Sequence, residues 1–255
     1  MNVNPNLFVS LFLAVVLYLV GFFLIGKIAK KSGYFLLLLT FLCCLPALSM
    51  ILYYFHLVKL PNWYINFRTI SGMEISVAFF GLFFGLLSDH KSKIFLIIPA
   101  LVLVLIPFIK PIIRPLTIRQ ISEWKDDVCI QSTPATCGPS SLASILRYYG
   151  IEASEYELAR NSYSCSSGTE IWYILRCGKA KGLNYKLSTV SSFEGLKYPS
   201  IIGVKLMSFG HFITVLGKSG DSFIIGDPLS GKSTLNRADF EKLYKLDGMM
   251  IEFSR

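Results

Sequence analysis

The chain has 255 residues, of which 53% are apolar and 16% are charged, and its formal net charge is +9. Its mean hydropathy of +0.54 excludes an ordinary soluble domain. Residues 1–115 hold nine Lys/Arg and two Asp/Glu (+7), whereas residues 116–255 hold sixteen and fourteen (+2). This imbalance predicts an N-terminal transmembrane helical domain over residues 1–115 and a folded, water-facing domain over residues 116–255.

Four apolar segments are candidates for crossing a membrane. Phe8–Ile25 and Tyr34–Leu57 are long enough for a hydrocarbon core that needs about 20 helical residues. Ile94–Ile113 also qualifies, because neighbouring helices can satisfy the carbonyls that its prolines free. Gly72–Leu87 is shorter and begins beside Glu74, so it spans a thinned region, re-enters or lies along the interface. The sequence predicts three to four spans, and we favour four.

The charges around these segments bear on orientation and partners. The first segment is predicted to be a retained anchor, because positive charges follow it and none precedes it. If there are four spans, the flanking Lys and Arg residues divide five against six between the two sides of the membrane. If there are three, they divide seven against four, which favours a cytoplasmic location for the second domain. Contact with membrane lipid explains this basic charge, and no nucleic-acid-binding motif occurs, so nucleic acid is not an expected partner.

The first helix of the second domain is predicted over Gly138–Tyr149, where apolar residues recur at helical spacing. Cys137 then lies at the helix N-terminus, where unsatisfied amides and the positive end of the helix dipole stabilise a thiolate. Pro134, Gly138 and Pro139 fix an abrupt entry into the helix that a buried core cysteine does not require. The pattern therefore favours a reactive thiol at Cys137.

The other cysteines do not form a recognisable site. Those of the second domain lack paired metal-ligand spacing, and only one histidine accompanies them, so structural thiols are expected at Cys129, Cys165 and Cys177. Cys43 and Cys44 lie in a predicted span and are interpreted as apolar helix residues, with lipidation as the less favoured alternative. The sequence predicts neither a metal nor a cofactor.

After a second amphipathic helix within Thr169–Lys181, the pattern changes to strands bounded by Gly and Pro, which indicates an α+β fold. The predicted strands are Ser200–Leu206, His211–Leu216, Ser222–Ile225 and Met249–Phe253, with a short helix at Arg237–Lys245 before the last. His211 opens one strand and Asp227 ends the next. Adjacent antiparallel strands would place that carboxylate beside the ring, where it selects the tautomer and stabilises the imidazolium.

These residues resemble the bacterial double-glycine leader peptidases, which are papain-like domains usually fused to the N-terminus of bacteriocin ABC exporters. The resemblance covers about residues 125–255. It rests on three motifs: Gln131-x5-Cys137-Gly138-Pro139, Gly210-His211-Phe212 with Val215, and Asp227-Pro228 with Gly231. The resemblance implies an α+β papain-like cysteine peptidase domain with an antiparallel sheet.

The resemblance also implies roles for single residues. Cys137 looks like the nucleophile and His211 like the general base and acid. Asp227 would orient the ring, and Gln131 would donate to the oxyanion beside the Cys137 backbone amide. Thr136 stands where such enzymes frequently have an acidic residue, and no role is assigned to it.

The implied substrate is a secreted peptide or small protein whose leader ends in Gly-Gly or Gly-Ala and is cut just after that pair. Because no Gly-x4-Gly-Lys-Ser/Thr loop occurs, the sequence predicts a membrane-tethered peptidase without its own ATPase, with a separate exporter as a partner. Two other classes stay open: a non-cleaving leader-binding module, and an acyltransferase or papain-like peptidase of different specificity.

Overall fold

The computed structural model describes residues 3–25, 30–55, 57, 61–88, 94–206 and 209–255. Over these residues the chain divides into two compact units, Val3–Ile113 and Arg114–Arg255. We call them the N-terminal unit and the C-terminal unit.

The N-terminal unit is helical, because a helix satisfies the backbone hydrogen bonds of an apolar segment internally. Its described α-helices are α1 (Asn6–Ile25), α2 (Lys30–Tyr54), α3 (Asn62–Thr69), α4 (Phe79–Leu87), α5 (Ile97–Leu105) and α6 (Ile109–Ile113). Short 3₁₀ turns precede α4 and α5 and separate α5 from α6: Met73–Ala78, Ile94–Leu96 and Ile106–Phe108.

Two of the described helices are long and apolar enough to cross a membrane, Asn6–Leu24 and Ser32–Tyr54. The α3 helix and the helical segment ending in α4 are bent by 89°, and Gly72 between them has a φ of +82°. Only if this bent pair counts as one span does the number rise to three. The prediction of three to four spans is therefore wrong for the described residues, which contain two unbroken candidates.

The last apolar segment is too short to count as a span, since its helix covers only Ile97–Ile113. A 3₁₀ turn containing Pro107 divides it into α5 and α6, and a proline has no N–H for the helical hydrogen-bond ladder. The predicted orientation uses residues outside the described part of the chain, namely Lys27, Lys59, Lys91 and Lys93, and His56 of the second predicted span also lies there. The orientation therefore stays a prediction.

Close backbone contact joins α4 to α1. A Cβ added to Gly85 would lie 3.0 Å from the Cα of Tyr18 and closer still to its carbonyl oxygen, and one added to Gly81 would collide with Ala14 in the same way. The Tyr18 and Ser88 hydroxyls are 2.9 Å apart. Small residues at such a crossing let two helices approach closely, as at helix interfaces within membranes.

The C-terminal unit is an α+β domain. Its first elements are β1 (Glu123–Lys125), β2 (Val128–Ile130), α7 (Cys137–Tyr148), α8 (Glu155–Asn161) and α9 (Ile171–Ala180). The remainder comprises β3 (Asn184–Thr189), β4 (Ser200–Leu206), β5 (Phe209–Ser219), β6 (Ser222–Asp227), β7 (Gly231–Leu235), α10 (Arg237–Leu243) and β8 (Lys245–Ser254). Six of these strands form an antiparallel sheet in the order β3-β8-β4-β5-β6-β7, and β1 pairs with β2.

Apolar side chains fix the helices and strands of this unit in place. Those of α7 and α9 are buried together, including Leu142, Ile145 and Trp172. A second buried cluster, which includes Ile213, Ile225 and Phe240, joins β5, β6 and α10. Apolar burial contributes roughly 25 cal/mol per Å², so the layers hold the strand ends and the start of α7 in a defined relation.

The predicted elements of this unit are present, with small differences at their ends. The α7 helix begins one residue earlier than predicted, at Cys137, and β5 and β6 extend further than predicted. The elements that the sequence analysis missed are β1, β2, β3, β7 and α8. The α8 helix had a usable signal, since Ser154 and Glu157 form a capping-box pattern and the Glu157 amide donates to the Ser154 hydroxyl at 3.0 Å.

Candidate active site

Cys137 is the first residue of α7, and its side chain is partly exposed. The first turn packs tightly, since a Cβ on Gly138 would collide with α9 and approach Phe212 of β5 to 3.6 Å. The Ser141 hydroxyl donates to the Phe212 carbonyl at 3.1 Å. These contacts bring the thiol to the strand that carries His211, and the amides of a first helical turn favour an anion at this position.

His211 lies near the start of β5 and Asp227 ends β6, so antiparallel pairing puts both at the same end of the sheet. His211 Nε2 and Asp227 Oδ1 are 2.8 Å apart, and both side chains are buried. This contact leaves Nδ1 for Cys137, whose side chain also hydrogen-bonds with the ring. The structure thus brings the thiol, the imidazole and the carboxylate together.

The protonation of His211 follows from its neighbours. Burial by itself would lower the pKa of His211, because it disfavours the imidazolium. Hydrogen bonds with Asp227 and Cys137, and the negative charges of these groups, outweigh burial and raise the pKa of His211 to about 9. The His211 ring is therefore protonated at neutral pH and lies beside the Cys137 side chain.

Three groups donate to the buried carboxylate of Asp227. Besides His211, the Leu229 amide donates to Oδ1 at 2.8 Å and the Tyr244 hydroxyl donates to Oδ2 at 2.6 Å. Burial by itself would raise the pKa of Asp227, but the hydrogen bonds from His211, Tyr244 and Leu229 lower it. The carboxylate therefore stays ionised and fixed in orientation.

Tyr244 was not among the predicted site residues. It directly follows α10, it is buried, and burial together with the nearby Asp227 charge raises its pKa, so the phenol remains a donor. Nothing in its sequence context distinguishes it from the other tyrosines. Only the fold brings it to Asp227.

Gln131 directly follows β2 and begins the segment Gln131–Thr136, which leads into α7. Its backbone amide donates to the Pro228 carbonyl at 2.9 Å, which ties this segment to the turn after Asp227. Its side-chain nitrogen donates to the Thr133 carbonyl at 2.9 Å. A primary amide has two N–H groups, so one remains for another acceptor. The structure places no oxyanion, and the predicted role of Gln131 stays a prediction.

Thr136, to which the sequence analysis assigned no role, closes the segment before Cys137. Its hydroxyl donates to the Thr133 carbonyl at 3.0 Å and accepts from the Thr133 amide at 3.3 Å. The Ala135 amide donates to the Thr133 hydroxyl at 3.3 Å. Side-chain bonds of this kind replace the backbone bonds that an irregular segment lacks.

The remaining cysteines differ from Cys137 in burial. Cys129 is buried, and burial together with the Glu155 charge raises the pKa of its thiol to about 11. Burial and the Glu157 charge likewise raise the pKa of Cys177 to about 11. Both are thiols at neutral pH and poor nucleophiles. Among the described residues, no group of three or more His, Cys, Asp or Glu side chains is arranged to hold a metal ion.

Comparison with known proteins covers the C-terminal unit. The model of the Peptidase C39 family matches residues 125–255. An uncharacterized protein of Methanothermobacter thermautotrophicus is 26% identical over 125 residues, which are 49% of this chain and 87% of that protein. An uncharacterized protein of Methanothermobacter marburgensis is 27% identical over 128 residues, covering 50% of this chain and 89% of that protein.

Two solved structures are also similar. The peptidase domain of Streptococcus ComA, a bifunctional ABC transporter involved in quorum sensing, is 25% identical, with 49% of this chain and 95% of that chain covered and a TM-score of 0.42. A double glycine motif protease from an AMS/PCAT transporter, solved with the leader peptide, is 24% identical. Its match covers 55% of this chain and 96% of that chain, with a TM-score of 0.43.

Proposed function

The chain belongs to the peptidase C39 family, and we propose that it is a membrane-anchored cysteine peptidase that cuts the leader from a secreted peptide after a Gly-Gly type motif. One observation carries the proposal. The imidazole of His211 is held between Cys137 and Asp227 and has a pKa of about 9. This is the arrangement that a thiolate nucleophile needs at neutral pH.

The proposed reaction has two stages. The Cys137 sulfur attacks the carbonyl carbon of the scissile bond, and the imidazolium of His211 gives its proton to the leaving amine, which frees the mature peptide. The leader then remains on sulfur as a thioester. His211 next takes a proton from water, and the hydroxide attacks the thioester. The leader leaves as a carboxylic acid that loses its proton to water, and the Cys137 thiolate and the His211 imidazolium are restored.

The tetrahedral intermediate of each stage carries a negative oxygen. We assign its stabilisation to the Cys137 backbone amide and to the N–H of the Gln131 side chain that does not bind Thr133. Asp227 does not touch the substrate in this mechanism. It fixes the ring so that Nδ1 faces the sulfur, and its charge stabilises the imidazolium.

The N-terminal unit would hold the peptidase at a membrane. Its helices α1 and α2 are compatible with crossing, and exposed apolar side chains on both, such as Phe12 and Phe35, suit contact with lipid tails. We further propose that the membrane is the bacterial cytoplasmic membrane and that the peptidase faces the cytoplasm, where a reduced thiol persists. A separate exporter would receive the processed peptide.

The test is mass spectrometry of products from the detergent-purified full chain. The substrates are leader peptides that end in Gly-Gly, Gly-Ala or Ala-Ala, each followed by the same short sequence. We expect two fragments from cleavage directly after Gly-Gly, slower cleavage after Gly-Ala and none after Ala-Ala. The Cys137→Ala variant should produce no fragments, while Cys43→Ala, which removes an exposed free thiol of the other unit, should match the wild type.

The same products separate the alternatives. An adduct in place of the leader carboxylate would favour acyl transfer, and unchanged peptide with measurable binding would favour a leader-binding module. Cleavage that persists in Cys137→Ala would contradict the proposal.

A further inference from the structure

A buried carboxylate outside the proposed triad binds the segment that precedes Cys137. Glu155 is the first residue of α8, and its side chain is fully buried. Its Oε1 accepts a hydrogen bond from the Ser132 amide at 2.8 Å and another from the Ser132 hydroxyl at 2.9 Å. Both of these donors belong to Ser132, whereas Oε2 is buried without a hydrogen-bond partner among the described residues. Because burying a carboxylate costs free energy unless donors compensate it, losing the Ser132 donors would be costly and Ser132 is held firmly at this position.

The backbone of Glu155 is itself held by further hydrogen bonds. Its backbone amide donates to the Ser122 hydroxyl at 2.8 Å, and the first turn of α8 is capped by Ser154. The Arg119 amide donates to the Ser132 hydroxyl at 3.3 Å. The carboxylate is thus a fixed point to which Ser132 is attached.

Ser132 directly follows Gln131, and the backbone amides of the two residues donate to different parts of the fold. The Gln131 amide is attached to Pro228, beside Asp227, while the Ser132 amide is attached to α8. Two consecutive amides with fixed partners leave the peptide plane between them little freedom. The Gln131 side chain therefore leaves the backbone from a fixed position, six residues before Cys137.

We propose that Glu155 is a positioning residue for acyl transfer. Through Ser132 it holds the side-chain amide of Gln131 at the place where the oxyanion forms. This inference rests on the proposed function, because it assumes that Gln131 donates to that oxyanion. Glu155 touches neither the substrate nor the thiol. Its loss should therefore slow a reaction that forms an oxyanion and spare one that does not.

Two small reagents separate these cases without any leader peptide. p-Nitrophenyl acetate acylates the thiolate through a tetrahedral oxyanion, since sulfur attacks the ester carbon and p-nitrophenolate leaves. Iodoacetamide alkylates the same thiolate by direct displacement of iodide, with no oxyanion. The ratio of the two rates at Cys137 reports oxyanion stabilisation, while the alkylation rate alone reports the thiolate–imidazolium pair.

We expect Glu155→Ala in the full chain to slow acylation of Cys137 by about 10-fold, a fraction of the loss seen when an oxyanion donor is removed. Alkylation should stay within about 2-fold, and kcat for a Gly-Gly peptide should fall without a matching change in KM. Glu155→Gln keeps an acceptor oxygen for Ser132 and should retain most of the activity. Glu157→Gln, a change at a half-buried position on the same helix at the salt bridge to Lys181, is the matched control and should change neither rate.

A double-mutant cycle tests whether the effect passes through Gln131. In a Gln131→Ala background, Glu155→Ala should reduce acylation by less than about 2-fold further. If Glu155→Ala fails to fold, Ser132→Ala removes only the hydroxyl donor and should show the same selective loss at smaller size.

Equal losses of acylation and alkylation, unchanged acylation in Glu155→Ala, or independent effects in the cycle would each overturn the inference. If leader peptides are not cut but the acylation pattern holds, the proposed substrate is wrong and the role of Glu155 stands. A wild-type Cys137 that reacts with neither reagent would overturn both.

Discussion

The two units of this chain place their apolar side chains in opposite ways. In the N-terminal unit, large apolar side chains are exposed along α1 and α2, as at Phe8 (65% exposed) and Phe35 (69% exposed). In the C-terminal unit they lie mainly between the sheet and the helices, and the exposed ones are scattered. Contiguous exposed apolar surface indicates a surrounding other than water, so the first unit is suited to lipid and the second to water.

The units also use different means of close packing. Helices α1 and α4 meet backbone to backbone at Gly81 and Gly85, which requires small residues and little side-chain specificity. The C-terminal unit instead fixes the His211 imidazole and the segment Gln131–Thr136 through hydrogen bonds to the buried carboxylates of Asp227 and Glu155. A mutation at these contacts should therefore change helix packing and stability in the N-terminal unit, and the reaction rate in the C-terminal unit.

The largest expected effect is on the chemistry. Asp227→Ala removes the partner of His211 Nε2 and leaves the buried Tyr244 hydroxyl without its acceptor. Because the imidazolium loses both a charge and an orienting bond, the pKa of His211 should fall and kcat should drop by about 100-fold or more. Steady-state kinetics on a Gly-Gly peptide would measure this drop. A variant with near wild-type kcat would contradict the orienting role of Asp227.

The corresponding change in the first unit is Gly85→Leu. The added side chain cannot fit against the Tyr18 backbone, so α4 should move away from α1 at a cost of about 2 kcal/mol or more. Thermal unfolding in detergent should show a lower midpoint for the N-terminal unit, while alkylation of Cys137 keeps its wild-type rate. Val20→Leu, on an exposed part of α1, is the control. A loss of Cys137 reactivity in Gly85→Leu would show that the two units are not independent.

A pH series tests the C-terminal unit, because the pKa of His211 is raised into a range that activity measurements can reach. Its folded pKa of about 9 lies above the usual 6.5, so its ionisation stabilises the fold fully below about pH 6.5 and this contribution is lost as pH rises through about 9. Cleavage should decline over the same upper limb, because the proton for the leaving amine is gone. Activity that still rises between pH 9 and pH 10 would disagree with this assignment.

The smallest expected effect concerns Tyr244. Tyr244→Phe removes a donor to Asp227 Oδ2, so the pKa of Asp227 should rise, kcat at neutral pH should fall by a few-fold, and the acid limb of the pH profile should move to higher pH. Tyr149→Phe is the matched control, since it removes a phenol bond to the Phe253 carbonyl away from the site. If both variants shift the limb equally, the Tyr244 contact is only structural.

How far the sequence predicts this molecule depends on the range of the interactions involved. The start of α7, the start of β5 near His211 and the end of β6 at Asp227 depend on local spacing. The structure has each of them within a few residues of its predicted position. Tyr244 and Glu155 act on residues 17 and 23 positions away, and no local pattern encodes such contacts. The β7 strand was missed because Gly231–Leu235 is polar and lies at the edge of the sheet.

In the N-terminal unit, hydropathy predicts some helices and misses others. Hydropathy identifies the apolar segments, since lipid contact depends on composition alone. It does not locate the 89° bend between α3 and the helical segment ending in α4, because a turn at Gly72 hardly changes the mean hydropathy. The span count therefore failed at this bend and at the short helix Ile97–Ile113, while α1 and α2 were found.

The most direct test of the central claim is to trap the acyl-enzyme. A Gly-Gly leader peptide would be mixed with the full chain for short times, quenched in acid and digested, and the Cys137 peptide would be weighed. The account predicts a thioester of the leader on Cys137 that appears before free leader and is absent in Cys137→Ala. Cleavage without a covalent leader on Cys137, or a leader attached to another residue, would contradict it.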